Sequence, residues 1–319
     1  MRRFRVSGLC VVFLCLLASL ALGQTIETIF SDYTGETAYD VVVGDGYAYV
    51  SNNGGISIYD IRDPENLALL THPQWAGGSV FGLDLAGSIL YAAAAGQGFL
   101  LIADVSDPAA PVILTRYGSG AGIVYVHNEV AYVGGYGRTL ELVDVSTPAQ
   151  PSHLLDLGFT GASGVAGIGD YVFITDPARG VVQFDMTDPT NPVELGVLRN
   201  TWSAYKLEIR NDTLHIARYS QGILVFSLSN PRYPVGAFSF PHSGEAWDVS
   251  GSYPILCVAD LQEGVEVIDA SAPYSSRMAA VDTSYAPHAI EYADGYIHLA
   301  DQDEGYVLLR LVLDDESGR

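Results

Sequence analysis

Gly-Phe-Leu-Leu-Ile-Ala-Asp-Val-Ser-Asp-Pro-Ala-Ala-Pro, residues 98–111, is the unit that the rest of the chain repeats. An apolar run closes on an aspartate and a proline follows four residues on, at Asp60/Pro64, Asp104/Pro108, Asp144/Pro148, Asp185/Pro189 and Asp269/Pro273. Ser227/Pro231 is a degenerate copy, and Arg310 holds the same column in a last copy without a proline. Successive positions lie 40 to 44 residues apart. Seven repeats of about 42 residues point to a propeller or a solenoid.

Each repeat reads as four short strands, in the first copy 39–43, 47–51, 56–61 and 67–71, with the two-residue turn Asp45-Gly46 between the first pair. Gly87-Ser88, Gly169-Asp170, Asn211-Asp212 and Asp294-Gly295 recur at that place, Asn128-Glu129 is a weaker match, and Tyr253-Pro254 departs from it. Tight antiparallel hairpins favour these residues because their central positions require positive φ. No stretch carries a 3.6-residue apolar period. The expected fold is therefore all-β, a seven-bladed β-propeller of four-stranded antiparallel blades starting near 38, 80, 121, 162, 204, 246 and 287. The last copy has only three strands, at 288–292, 296–300 and 306–312, whereas residues 25–33 alternate in polarity and belong to no other copy. They are expected to complete blade seven, which ties the first copy to the last and removes an exposed edge. A solenoid has no use for a split repeat.

Arg2, Arg3 and Arg5, the apolar stretch 9–22 and the small residues Ala21 and Gly23 read as a secretory signal over residues 1–23. Residues 24–319 then form a single propeller, exported to the cell surface, the periplasm or the extracellular space, with no membrane insertion after cleavage. Cys10 and Cys15 leave with the leader, and Cys257 alone cannot make an internal disulfide, so packing has to hold the fold. The formal net charge is −22 and Lys206 is the sole lysine. Such a surface repels phosphate backbones and anionic lipid, which excludes nucleic acid as a partner.

Asp60, Asp104, Asp144, Asp185 and Asp269 have a local task that explains their recurrence. A short carboxylate accepts hydrogen bonds from N–H groups just ahead and turns the chain, while the following proline ends strand pairing. A second column, Tyr49, Tyr91, Tyr132, Phe173, His215, Cys257 and His298, places one residue per copy near the end of the second strand. Its two histidines and cysteine resemble a zinc set, but equivalent positions around a ring do not converge on one ion. Asp301-Gln-Asp-Glu-Gly305 begins like a calcium loop, yet Val312 stands where the closing glutamate belongs. No hydrolase elbow, zinc-protease, Walker or dinucleotide motif occurs, and no catalytic residue, metal or cofactor is expected.

Phrases such as Leu100-Leu-Ile-Ala-Asp104, Leu140-Glu-Leu-Val-Asp144 and Val265-Glu-Val-Ile-Asp269 resemble the LVIVD-repeat family over nearly the whole chain after the leader. The resemblance implies a β-propeller of surface and secreted proteins and brings no catalytic residues with it. Ser227 and Arg310 in the aspartate column, and Arg138-Thr139 before a third strand, depart from the pattern.

In this topology the lead-in to each first strand and the loop between the second and third strands share one face, where side chains are free to vary. Arg138, Arg179, Arg218 and Lys206 fall on the sector of blades three to five, beside Tyr136, Tyr219, Trp202 and Tyr205, while Trp247 and His288 lead in to blades six and seven. Four cations on one arc suggest a groove for an acidic or sugar-like ligand or a peptide, so that the expected partner is a protein, peptide or glycan; the bland alternative is that they pair with neighbouring acids. The expected role is thus a binding or interaction module. The rivals are a propeller-type lyase or hydrolase using His288 or Tyr285 with carboxylates near the axis, and a structural spacer in a surface assembly.

Overall fold

A computed structural model describes residues 25–32, 36–75, 77–95, 97–118, 122–135, 137–241, 244–270, 277–281 and 287–312. The leader at 1–23, Tyr136 and Tyr285 lie outside them, as does residue 33 of the closing segment. The described residues form seven four-stranded antiparallel sheets with almost no helix. In six of them the strands run outward in chain order. The innermost strands are Ala38–Gly44, Gly82–Ala86, Ile123–His127, Val165–Ile168, Lys206–Arg210, Ala246–Ser252 and Pro287–Ala293. The seventh sheet takes its outermost strand, Thr25–Asp32, from the start of the described chain, paired with Gly305–Val312 from Thr25↔Val312 to Asp32↔Tyr306. The ring closes as the split repeat predicts.

The turns obey their sequence. Asp45 and Gly46, Asn128 and Glu129, Asn211 and Asp212, and Asp294 and Gly295 all have positive φ, whereas in the turns at Gly87 and Gly169 only the glycine does. The first pattern is that of a type I′ turn and the second that of type II′, the two that match strand twist. Tyr253-Pro254 departs with a cis peptide bond.

Burial lies between blades rather than within one. Tyr49, Ile56 and Ile58 of blade one pack with Leu83, Leu90 and Leu101 of blade two. Tyr59, Val41 and Val50 of the same blade pack on their other side with Tyr306, Leu308 and Ala300 of blade seven. Because each sheet is covered on both faces, its central strands read as nearly continuous apolar runs instead of alternating ones. The column Tyr49, Tyr91, Tyr132, Phe173, His215, Cys257 and His298 is at most 3% exposed in every blade. His298 Nδ1 lies 2.7 Å from the Tyr306 hydroxyl, and His215 Nε2 lies 3.1 Å from Thr213 Oγ1. Among the described residues no group of three or more His, Cys, Asp or Glu side chains is arranged to hold an ion.

The recurrent aspartates turn the chain. Asp60, Asp104, Asp144 and Asp185 each accept a hydrogen bond from the N–H two residues on, of Arg62, Ser106, Ser146 and Thr187, at 2.8 to 3.1 Å. Ser271, two residues after Asp269, lies outside the described set. A second recurrent turn sits between the second and third strands, where Asn52, Asp176, Asp260 and Asp301 each accept from two successive N–H groups. The calcium-like segment at Asp301 is one of these turns.

Candidate functional site: the axial mouth

The seven innermost strands surround a central channel of about 680 Å³. One residue per blade leads in to it: Tyr39, Phe81, Gly122, Ser163, Tyr205, Trp247 and His288, spaced 41 or 42 residues apart. Five of these carry rings, and neighbouring rings touch around the rim. Phe81 and Tyr39 lie 4.5 Å apart by ring centres, Tyr39 and His288 5.6 Å, His288 and Trp247 6.1 Å, and Trp247 and Tyr205 4.1 Å. Tyr219, from the loop after the second strand of blade five, packs edge-on against Trp247 and 5.0 Å from Tyr205. The ring arc stops at blades three and four. There Gly122, Gly135, Gly137, Gly161, Ser163 and Gly164 line the mouth instead. At Gly164 a glycine is required, because a Cβ would lie 2.8 Å from the Tyr205 carbonyl oxygen.

An innermost strand has no strand beside it on the axial side, so its free N–H groups need other acceptors. Polar side chains of the preceding blade supply them. Asp40 accepts from Val41 in its own strand at 3.0 Å and from Leu83 of blade two at 2.9 Å. Asp84 likewise accepts from Leu85 at 2.8 Å and from Val126 of blade three, and Asp248 accepts from Val249 at 2.9 Å and from Ile290 of blade seven at 3.2 Å. The Tyr125 hydroxyl takes the Gly167 N–H at 2.9 Å, and Glu208 takes the Gly251 N–H at 3.0 Å. Deeper in, Arg210 donates to Glu208 at 2.9 Å and reaches past blade six to Glu291 of blade seven. Burial pushes Asp84 up to about 6 and Asp248 up to about 7, the Lys206 charge opposing the rise at Asp248 and the Asp40 charge adding to it. Glu291 is raised by burial against the pull of Arg210. His288 is lowered, first by burial and then by the charge of Lys206.

Of the ten residues singled out from the sequence, Tyr205, Tyr219, Trp247, His288 and Lys206 come together at this mouth. The arginines do not join them as one arc. Arg218 is 7% exposed, and its guanidinium donates to the carbonyls of Asn200 and Gln221, both at 2.8 Å, and to Ser239 at 3.2 Å. Arg179 donates to Asp176 at 2.7 Å and to Glu194 at 3.1 Å, and lies over the Phe159 ring. For this residue the bland alternative, pairing with nearby acids, describes the geometry. Arg138 is exposed at the start of the third strand of blade three. Trp202 stands outside the channel with 65% of its surface exposed.

Sequence reasoning missed Tyr39 and Phe81, although the repeat column that holds Tyr205, Trp247 and His288 contains both. It also missed a Ser–His–carboxylate series in blade one. His72 Nδ1 lies 2.8 Å from Ser57 Oγ, and His72 Nε2 lies 3.5 Å from Glu36. Ser57 is 2% exposed and already accepts a hydrogen bond from Asn52 at 3.1 Å, so no acyl group can reach its oxygen. The series ties the lead-in of blade one to its outer strand.

The loop bearing Trp202 is fixed by its neighbour. Thr201 is 1% exposed; its hydroxyl accepts from the Val181 N–H at 2.9 Å and donates to the Leu198 carbonyl at 2.8 Å. Thr201→Val keeps the shape and strands both groups, so it is expected to destabilise the protein by roughly 1–3 kcal/mol. Chemical denaturation checks this, and an unchanged midpoint contradicts it.

Comparison with known proteins places this geometry on a common scaffold. The LVIVD repeat model matches residues 35–72, 77–119, 120–155, 161–199 and 243–282, which are blades one to four and blade six. Blades five and seven, outside those matches, are the two that carry Ser227 and Arg310 in the aspartate column. The crystal structure of the computationally designed Ika8 protein is similar to this chain with a TM-score of 0.64 and 12% identity, covering 89% of this chain and 99% of that one. At that identity the likeness is one of fold alone. None of the curated proteins matches the chain.

Proposed function

The chain belongs to the LVIVD-repeat family, and from that premise we propose that it is an exported binding module that takes its ligand at the aromatic mouth of the channel. The observation that carries this reading is the collar of Phe81, Tyr39, His288, Trp247 and Tyr205 around a cavity of about 680 Å³. That volume lies within the few hundred to about 1,000 Å³ common for small-ligand sites. Aromatic rings are large, stiff contact surfaces that lose little rotamer freedom on binding. The turn aspartates, the inter-blade acceptors and the buried column from Tyr49 to His298 are already committed to the fold, whereas the lead-in column varies from blade to blade at the mouth of the channel. The leader-like residues 1–23 and the lone, buried Cys257 support export without disulfides.

The test is retention of members of a glycan and peptide array by the purified protein. Trp247→Ala is expected to weaken retention by tenfold or more, about 1.4 kcal/mol. Undiminished retention by a folded Trp247→Ala protein overturns the reading. The rival reading, a carbohydrate-active lyase or hydrolase, draws on Asp248, which burial pushes up to about 7, in the same cavity as His288. Shortened products after incubation with oligosaccharides would establish it; ligands recovered intact favour the binding module.

A further inference from the structure

The loop that joins blades four and five displays a tryptophan at a loss to folding. Trp202 is 65% exposed, while the residue before it is buried and pinned by both of its polar contacts. Asn200 and Ser203 on either side hold φ of 61° and 62°. A non-glycine residue in this region is uncommon, and it persists where the surroundings enforce it. Here the Arg218 guanidinium holds the Asn200 carbonyl at 2.8 Å, and the Ala204 N–H donates to the Thr201 carbonyl at 3.2 Å. An ordered, exposed indole contributes nothing to the core, whereas a rigid aromatic anchor is what recognition surfaces use. Three residues further on, Tyr205 enters the collar against Trp247. Chain reach puts the Cα atoms of Trp202 and Tyr205 within about 11 Å of each other. One oligomeric ligand of several rings is therefore long enough to meet both.

Charge in the channel selects the ligand. Asp40, Asp84 and Asp248 line the channel beside Lys206 and oppose an anionic chain. Lys206 at the inner end offsets one of these carboxylates. A neutral, hydroxyl-rich chain does not meet this barrier. Its hydroxyls can donate to carboxylate lone pairs that the backbone N–H groups leave unused, and the flat C–H face of a sugar ring suits an exposed indole. We infer that the ligand is a neutral oligosaccharide, with one ring in the mouth against Trp247 and Tyr205 and a later ring stacked outside on Trp202. This rests on the binding-module reading and adds the class and the path of the ligand.

The experiment titrates the purified protein with cellohexaose, xylohexaose, laminarihexaose, maltohexaose and chitohexaose, each beside its disaccharide, with hexagalacturonic acid and hexalysine as charged probes. At least one neutral hexamer is expected to bind more tightly than its disaccharide. Trp202→Ala, with an unchanged melting temperature, is expected to weaken that hexamer about tenfold and leave the disaccharide within twofold. Trp202→Phe is expected to recover most of the loss. Equal affinity of hexamer and disaccharide, or a hexamer indifferent to Trp202→Ala, overturns the path while a Trp247→Ala defect keeps the module. Binding of hexalysine or hexagalacturonic acid with no neutral hexamer overturns the class and keeps the module. Silence of every probe overturns the inference; if the array also fails, the module reading falls with it.

Discussion

Deletion of residues 25–32 is expected to lower the melting temperature by roughly 10–15 °C, since on the order of 5 kcal/mol is lost and each kcal/mol is worth about 2–3 °C in a domain of this size. The estimate follows from what Thr25–Asp32 does. It supplies a full strand to blade seven, and without it Gly305–Val312 becomes an open edge that invites pairing with other chains. Phe30 leaves its contacts with Tyr59 and Tyr306, at ring separations of 6.0 and 6.1 Å. The Tyr59 hydroxyl loses Asp32, to which it donates at 2.7 Å, and Arg310 loses Glu27 at 2.6 Å while keeping Glu65. Several hydrogen bonds at about 1 kcal/mol each and one large aromatic contact at about 2 kcal/mol reach that total. Thermal unfolding together with size-exclusion chromatography checks it. A monomer with an unaltered transition contradicts the closing role.

Stability is expected to fall as pH rises from 5 to 9. Asp84 and Asp248 have folded-state values of about 6 and about 7, raised by burial above the usual carboxylate value near 3.8. The native state therefore binds more protons than the unfolded one between those limits, and stability declines with pH there. Their contribution is complete below pH 4 and lost through pH 6 to 7, and raised Glu291 extends the decline upward. At the acid end the sign reverses. Hydrogen bonds from Arg62 hold Asp60 down to about 2, and those from Ser146 lower Asp144, so what they add is present above pH 4 and lost as pH falls further. Maximum stability near pH 4 is the expected result. The drop to pH 9 is expected to be roughly 5–10 °C, allowing for water entering the channel. Repulsion within a chain of net charge −22 acts in the same direction but is screened by salt. A decline that survives 0.5 M NaCl belongs to the buried carboxylates; one that vanishes refutes their part in it.

The elements legible in the sequence are those that most blades repeat. Turn pairs such as Asp294-Gly295, the aspartate that ends five of the third strands and the buried column from Tyr49 to His298 each follow from one local constraint met many times. The closing strand was legible as a remainder. The axial acceptors were not, because they share no single column. By register Asp40 faces Ser51 and Asp248 faces Ala259, whereas Asp84, Tyr125 and Glu208 stand two residues further along, opposite Tyr91, Tyr132 and His215. The first row serves the N–H groups of Leu83 and Ile290 and the second those of Val126, Gly167 and Gly251, two residues further along their strands. Arg218 was misjudged for a related reason: its acceptors Asn200 and Ser239 come from segments 18 and 21 residues away, so a loop cation by sequence is a buried clamp in space. Tyr39 and Phe81 were within reach, since the lead-in column aligns without gaps, but a search guided by charge passes over it.

The claim on which the functional account turns is that ligand contacts the collar. Trp75→Phe with Trp202→Phe leaves Trp247 as the only indole, and its emission can be followed while the hexasaccharides are titrated and the heat of binding is measured in parallel. The account predicts a saturable change in Trp247 emission with the same midpoint as the heat. Heat of binding with Trp247 emission unchanged would place the ligand elsewhere on the propeller.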